Sequence, residues 1–120
     1  MKANELRIGN YVTLLGKITK VSPIMIAEEY QSGLCSSDYL EDIPLTEKWL
    51  LKFGFDLIRN NKDSGYKQYE NYTNGFTIMF SIEVNEQPVC WVESIGLDVM
   101  FVHQLQNLYF ALTGKELTII

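Results

Sequence analysis

The chain has 120 residues, of which 47% are apolar, 12% aromatic and 21% charged, so it can form the core of one domain and is too short for two. This composition excludes a disordered tail and collagen-like or mucin-like repeats, which lack the apolar residues that a core needs. Fifteen acidic against ten basic residues give a net charge of −5, which is wrong for a general nucleic-acid coating protein.

The N-terminal segment, residues 1–27, consists of short β-forming runs separated by Gly and Pro. This punctuation predicts a small, strongly bent β-meander or partial barrel, an SH3-like arrangement. The polar stretch that follows, residues 28–45, predicts a long surface loop. The β-forming runs are residues 11–15, 18–21 and 24–27.

A short helix is predicted for residues 46–54. Thr46 is a favourable N-cap residue, and Glu47 places a negative charge in the first turn, where the helix dipole favours it. Gly54 supplies the left-handed conformation that commonly ends a helix. The side chains predicted to face the core are those of Trp49, Leu50 and Phe53.

Antiparallel strands are predicted after this helix. The strongest signal is Asn74-Gly75, which favours a two-residue hairpin turn between the runs 66–73 and 76–83. A third run, residues 89–95, completes a three-stranded meander, and residues 56–59 form a further candidate strand.

The two-residue turn also predicts which side chains of the hairpin are buried. It places Tyr69 opposite Phe80, and the alternation of side chains then puts Ile78 and Phe80 on the buried face. The other face is predicted to be half solvated. Its members are Tyr66, Gln68, Tyr72, Thr77, Met79 and Ser81.

A second helix is predicted for residues 99–114, with Asp98 as its N-cap and Gly114 as its stop. One of its sectors is apolar and the opposite sector is polar but uncharged, which indicates a covered face. The N-terminal meander is favoured over a partner chain as the cover, because an α+β domain of this size commonly packs its longest helix between layers. The polar sector contains His103, Gln106, Asn107 and Phe110.

Together these elements predict an α+β fold in one domain, residues 1–120. Its predicted segments are a β-meander (1–27), a loop (28–45), a short helix (46–54), antiparallel strands (56–97), a helix (99–114) and a short strand (116–120).

Neither export nor membrane insertion is predicted. No apolar stretch follows Lys2, and the longest apolar run, residues 23–27, is far shorter than the roughly 20 residues of a membrane helix. We therefore expect a cytoplasmic protein in which Cys35 and Cys90 stay reduced. Two thiols do not form a zinc site, and no metal or cofactor is predicted.

His103 is the only histidine, so histidine catalysis would depend on it. Its helical neighbours Gln106 and Asn107 offer neither a carboxylate nor a nucleophile, so no catalytic triad is predicted. The sequence also lacks a P-loop, a dinucleotide fingerprint, a Gly-x-Ser-x-Gly elbow and a Cys-x-x-Cys pair. An enzyme is the less favoured interpretation.

Three stretches of the chain, NELRIGNYV, DIPLTEKWLLKFGF and VHQLQNLYFALTGKEL, occur in this order along the sequence. Together they resemble a group of small proteins of unknown function that is common in Bacteroides and in the phages and prophages of related gut bacteria. The resemblance covers about half the chain and is most specific over residues 102–117. It implies a phage or mobile-element setting and no particular activity, cofactor or catalytic residue.

Three functions follow as hypotheses. The first is a non-enzymatic binding protein whose partner is a protein or a small ligand; in a sharper version it counters host defence by binding an immune protein or a signalling nucleotide. The second is a nucleic-acid-binding module that uses Arg7, Lys17 and Lys20 of the basic N-terminal segment. The third is a small enzyme that uses His103.

A membrane partner is not predicted, and a homo-oligomer is left open. The binding surface of the first hypothesis contains His103, Gln106, Asn107, Phe110, Tyr66 and Tyr72.

Overall fold

The structure, a computed structural model, describes residues 6–25, 40–73, 75–83 and 88–119. It confirms the α+β class, with two antiparallel sheets and two helices among the named elements. The strands are β1 (Tyr11–Leu14), β2 (Lys17–Lys20), β3 (Leu40–Glu41), β4 (Asp56–Asn61), β5 (Tyr66–Thr73), β6 (Phe76–Ile82), β7 (Val89–Val92) and β8 (Ile95–Leu97). The helices are α1 (Glu47–Lys52) and α2 (Val102–Thr113).

The chain divides into two compact units. The first unit contains Met1–Pro44 and Phe101–Asn107, and the second contains Leu45–Met100 and Leu108–Ile120. The assignment of the whole chain to one domain stays a prediction.

The first unit contains a three-stranded sheet in the order β2-β1-β3. Strands β1 and β2 are joined by Leu15-Gly16, both in the left-handed region with φ of 51° and 81°, which is the conformation of a two-residue hairpin turn. Val12, Val21 and Leu40 form its buried core.

The predicted strand at residues 24–27 is wrong where the structure describes it. Residues 23–25 are helical, and residues 26–27 lie outside the described residues. The reason is local: Ser22 Oγ accepts a hydrogen bond from the Met25 N–H at 3.3 Å, as an N-cap does, and Pro23 occupies the first helical position. The third strand of the sheet is instead β3, which lies inside the predicted 28–45 loop and pairs with β1.

Helix α1 confirms the predicted short helix of the second unit. It ends as expected at Gly54, whose φ is +87°; the N–H of Gly54 donates to the Leu51 carbonyl and the N–H of Phe55 to the Leu50 carbonyl. Trp49, Leu50 and Phe53 are all buried. Thr46 is the N-cap residue, although its side chain makes no capping hydrogen bond.

The second unit contains a five-stranded antiparallel meander in the order β4-β5-β6-β7-β8, in which β4 confirms the candidate strand at residues 56–59 and β8 is the strand that was not predicted. The hairpin register is confirmed, with Thr73 opposite Phe76 and Tyr69 opposite Phe80. The ring of Phe55, which follows α1, packs edge-on against Phe80 at 5.6 Å. Strand β4 is an edge strand whose register with β5 shifts at Ile58, a bulge.

The predicted third strand, residues 89–95, is divided by a turn. Glu93 and Ser94 adopt left-handed φ angles of 48° and 72°, so the chain reverses there and Ile95–Leu97 returns as β8. Neither residue is the Gly or Asn that normally marks such a turn, which explains why the sequence did not indicate it.

Helix α2 begins at Val102 rather than at residue 99, so Asp98 is not its N-cap. The preceding backbone is extended instead: the N–H of Leu45 donates to the Met100 carbonyl, and Pro44 bridges to Phe101. The Phe101 N–H donates to Gln104 Oε1 at 3.2 Å, a side-chain contact at the helix start.

The predicted stop of α2 at Gly114 is confirmed by a φ of +72° and a hydrogen bond to the Phe110 carbonyl. The predicted strand at residues 116–120 is wrong for residues 116–119, which pair with none of the described strands; residue 120 lies outside the described residues. Leu117 is buried, so packing of this side chain rather than sheet pairing holds the segment.

Candidate functional site

The outer face of the five-stranded sheet is formed by residues that lie directly opposite one another on neighbouring strands. Such residues point to the same side of a sheet, so Glu70, Met79, Trp91 and Gly96 form one row across β5 to β8. On the inner face, the central residues of the alternate row, Tyr69, Phe80 and Cys90, are buried. We call the outer surface the open face. Its members include Tyr66, Gln68, Glu70, Tyr72, Thr77, Met79, Ser81 and Trp91.

The open face is accessible, as predicted for a half-solvated surface. Tyr72 is 73% exposed, and Tyr66, Gln68, Met79 and Trp91 are all partly exposed. An exposed aromatic and thioether surface on a sheet is typical of a contact surface.

A depression of about 410 Å³ lies on the open face, lined by Thr77, Met79, Trp91, Glu93 and Ser94. The six-membered ring of the Trp91 indole extends over its cross-strand partner Gly96, where a Cβ atom would lie 3.5 Å from the ring. The indole N–H donates to Ser81 Oγ at 3.4 Å. A Cβ atom at that distance would be in ordinary van der Waals contact, so the Trp91 ring packs closely over the Gly96 backbone.

The rim of the depression is a strained turn. Glu93 and Ser94, the two adjacent residues with left-handed φ, both line it. A non-glycine residue in this conformation costs about 1–2 kcal/mol. The Glu93 carboxylate is held in place, because its Oε1 accepts a hydrogen bond from the Thr77 N–H at 3.0 Å.

The open face carries more acidic than basic residues in β4 to β7 and the turn after β7. Asp56 lies directly opposite Glu70, and Glu93 stands at the rim of the depression. Arg59 lies opposite Gln68 and brings a positive charge to the same face. Directly opposed like charges are unfavourable, so the Asp56–Glu70 pair makes the potential of this face more negative at a cost in stability.

On the inner face, burial and charge shift the pKa of three groups. Lys67 Nζ donates to Glu47 Oε2 at 3.1 Å, and this hydrogen bond raises the pKa of Lys67. Burial raises the pKa of Tyr69, with the Glu47 carboxylate as a further cause. Burial also raises the pKa of the Cys90 thiol to about 12, so this thiol stays protonated and inert near neutral pH. Cys35 lies outside the described residues.

Two members of the polar sector of α2, Gln106 and Asn107, are covered by the chain itself within the first unit, whereas Phe110 is exposed. Gln106 is 1% exposed, and its Oε1 accepts a hydrogen bond from the Tyr11 N–H at 2.8 Å. Its Nε2 donates to the Gly9 carbonyl at 3.2 Å. Asn107 Oδ1 accepts from Arg7 Nη1 at 2.7 Å and from Asn10 Nδ2 at 3.0 Å. The prediction of an intramolecular cover is therefore confirmed for Gln106 and Asn107.

His103 is enclosed in the first unit. It is 1% exposed, its Nδ1 lies 3.7 Å from Asp42 Oδ1, and its ring stacks parallel to that of Phe101 at 6.1 Å. A substrate does not reach this imidazole in the described structure. Among the described residues, no group of three or more His, Cys, Asp and Glu side chains is arranged to hold a metal ion.

The basic residues of the nucleic-acid hypothesis are not gathered into a patch. The Arg7 guanidinium is engaged by Asn107 and by the Gln106 carbonyl. Lys17 and Lys20 are three residues apart on β2, so their side chains point to opposite faces, and Lys20 lies over the Tyr11 ring at 5.5 Å.

The residues predicted for a binding surface fall into two groups. His103, Gln106 and Asn107 belong to the first unit, whereas Tyr66, Tyr72 and Phe110 belong to the second, where Phe110 is 41% exposed. A binding role for these six residues stays a prediction. Trp91 and Glu93 are not among the predicted site residues; the signal that the sequence offers for them is a Trp in the middle of a β-forming run.

Comparisons of the chain with protein-family models, with curated proteins and with solved structures found no match. No helix among the described residues is both long enough and apolar enough to cross a bilayer.

Proposed function

We propose that the protein is a non-enzymatic binding protein that engages a partner protein through the open face of its five-stranded sheet. The observation that carries this proposal is the depression at Trp91, set in an exposed face that also presents Tyr72 and Met79. Tryptophan and tyrosine contribute most to binding energy at protein interfaces, and methionine adapts its shape to different partners.

The alternative functions receive less support from the same geometry. The burial of His103 disfavours an enzyme that depends on this imidazole. The separation of Lys17 and Lys20, and the engagement of Arg7 by Asn107, disfavour a basic groove for nucleic acid.

Site-specific photo-crosslinking in the cells that express the protein tests the proposal. A photoreactive phenylalanine analogue in place of the exposed Tyr72 should yield a discrete crosslinked product, whereas the same analogue in place of Lys62, an exposed turn residue, should not. The crosslinked partner, once purified, should bind the unmodified protein and lose at least about tenfold in affinity for the Tyr72→Ala variant. Equal crosslinking at both positions, or an affinity unchanged by Tyr72→Ala, would contradict the proposal.

The biological setting that we propose is a phage or prophage, and it is supported by the resemblance carried by residues 102–117. In this setting the protein counters a host defence by binding an immune protein. Expression in a defence-bearing host should restore phage plaques, and the Tyr72→Ala variant should not. A wild-type protein that leaves plaque numbers unchanged across several defence-bearing hosts would count against this setting without affecting the binding surface.

A further inference from the structure

We propose that the depression at Trp91 receives a cationic side chain, of arginine or lysine, from a basic segment of the partner protein. This inference rests on the proposed function and specifies the chemistry of the partner.

The groups that line the depression fit a cation with an aliphatic stem. The Trp91 indole offers a π surface of the kind that attracts guanidinium and ammonium groups, and tryptophan is the most effective side chain for this interaction. Met79 offers a polarizable apolar wall for the methylene groups of the stem. Glu93 places a carboxylate at the rim, where a charge-assisted hydrogen bond can form.

The charge of the surrounding surface favours the same occupant. Glu70 lies in the same row as Met79 and Trp91, and Asp56 extends this row onto β4. Together with Glu93 they are three carboxylates against one base on this face, Arg59, so the face attracts a basic segment and repels phosphates. Charge complementarity therefore favours a basic protein segment over nucleic acid.

The size of the depression matches a side chain rather than a folded element. The depression has a volume of about 410 Å³ and is lined by five residues, which come from β6, β7 and the turn after β7. One long side chain can enter while the rest of the partner segment lies across the open face.

Nuclear magnetic resonance on the full chain tests the inference, because each of the two tryptophans gives its own indole N–H signal. The probes are three peptides of equal length in which glycine alternates with arginine, glutamine or glutamate. The arginine peptide should shift the Trp91 signal saturably and leave that of the buried Trp49 unchanged. The glutamine peptide should bind at least about fivefold more weakly, and the glutamate peptide should not bind.

Charge variants provide the matched comparison. Glu93→Gln keeps an acceptor for the Thr77 N–H but removes the negative charge. It should lower the affinity for the arginine peptide by roughly three- to tenfold. Glu41→Gln makes the same change of net charge at an exposed site of the first unit and should leave the affinity unchanged. Trp91→Phe removes the indole signal, so its affinity is followed by the backbone amide signals of β6 and β7, and it should weaken binding of the arginine peptide by roughly two- to fivefold.

Several results would overturn the inference. The first is that the glutamine and arginine peptides bind with equal affinity. The second is that Glu93→Gln and Glu41→Gln change the affinity for the arginine peptide equally. The third is that a single-stranded oligonucleotide, and not the arginine peptide, shifts the Trp91 signal. If no peptide shifts Trp91 while the crosslinked partner still depends on Tyr72, the cationic occupant is wrong and the proposed function stands. If the crosslinked partner also fails to depend on Tyr72, both are wrong.

Discussion

Gln106 shows how one buried amide can connect two segments that are distant in sequence. Its Oε1 accepts a hydrogen bond from the Tyr11 N–H, and its Nε2 donates one to the Gly9 carbonyl. Asn10 Nδ2 lies 3.5 Å from the same Oε1. Two backbone groups of this segment, the Gly9 carbonyl and the Tyr11 N–H, therefore find their hydrogen-bond partner on the helix.

Replacement of Gln106 should destabilise the folded protein. Gln106→Ala removes the acceptor of the Tyr11 N–H in a buried place, so we expect the free energy of unfolding to fall by about 2–4 kcal/mol in urea titrations. Asn60→Ala, on the exposed edge strand, is the control and should cost less than about 0.5 kcal/mol. Similar losses in the two variants would show that the Gln106 contacts contribute little.

The Cys90 thiol should be unreactive toward disulfide reagents in the folded protein. With a pKa of about 12, roughly one thiol in ten thousand is ionised at pH 8, so a disulfide reagent should label Cys90 in a Cys35→Ser variant only after denaturation. Because the folded pKa lies above the unfolded value of 9.0, this thiol's contribution to stability is complete below pH 9.0 and lost as the pH rises toward about 12. Rapid labelling of the native variant would contradict this account.

At the scale of elements, the turn between β7 and β8 stores strain at the rim of the candidate site. Ser94→Gly removes the unfavourable left-handed serine, so we expect the free energy of unfolding to rise by about 0.5–1 kcal/mol. A rise in the melting temperature would show this gain. The reference is Ser64→Gly, at a turn position without left-handed φ, which should give no gain. Equal shifts of the melting temperature would show that the turn is unstrained.

The elements that were predictable from sequence are those with strong local signals. Helix α1 ends at a glycine in a left-handed conformation, and Asn74-Gly75 fixes the register of β5 with β6. The elements that were missed depend on tertiary pairing or on unusual turn residues. Strand β3 exists through its pairing with β1, the start of α2 is delayed by backbone pairing of residues 43–45, and β8 follows a turn without Gly or Asn.

The candidate site was harder to predict than the fold. The half-solvated face and the exposure of Tyr72 follow from the alternation of side chains along a hairpin. The depression does not follow from this alternation, because it forms where Trp91 lies beside Met79 and opposite Gly96. These three residues belong to three different strands. The burial of His103 and Gln106 likewise required knowledge of which segment covers α2.

At the scale of the whole molecule, the net charge of −5 and the dispersal of the N-terminal bases predict a protein that does not bind nucleic acid. Fluorescence polarization with a labelled single-stranded oligonucleotide should show no measurable binding at physiological salt. Salt-dependent affinity that disappears when Arg7, Lys17 and Lys20 are replaced together by alanine would contradict this expectation.

The bulge at Ile58 bears on how copies of the protein behave at high concentration. Strand β4 forms an outer edge of the five-stranded sheet and is exposed along its length, so its backbone could template stacking with another copy. The register shift between Leu57 and Arg59 interrupts the regular ladder, and the charges of Asp56 and Arg59 flank the two exposed apolar residues at its centre. We therefore expect this irregular, charged edge to disfavour edge-to-edge pairing of two copies at high concentration.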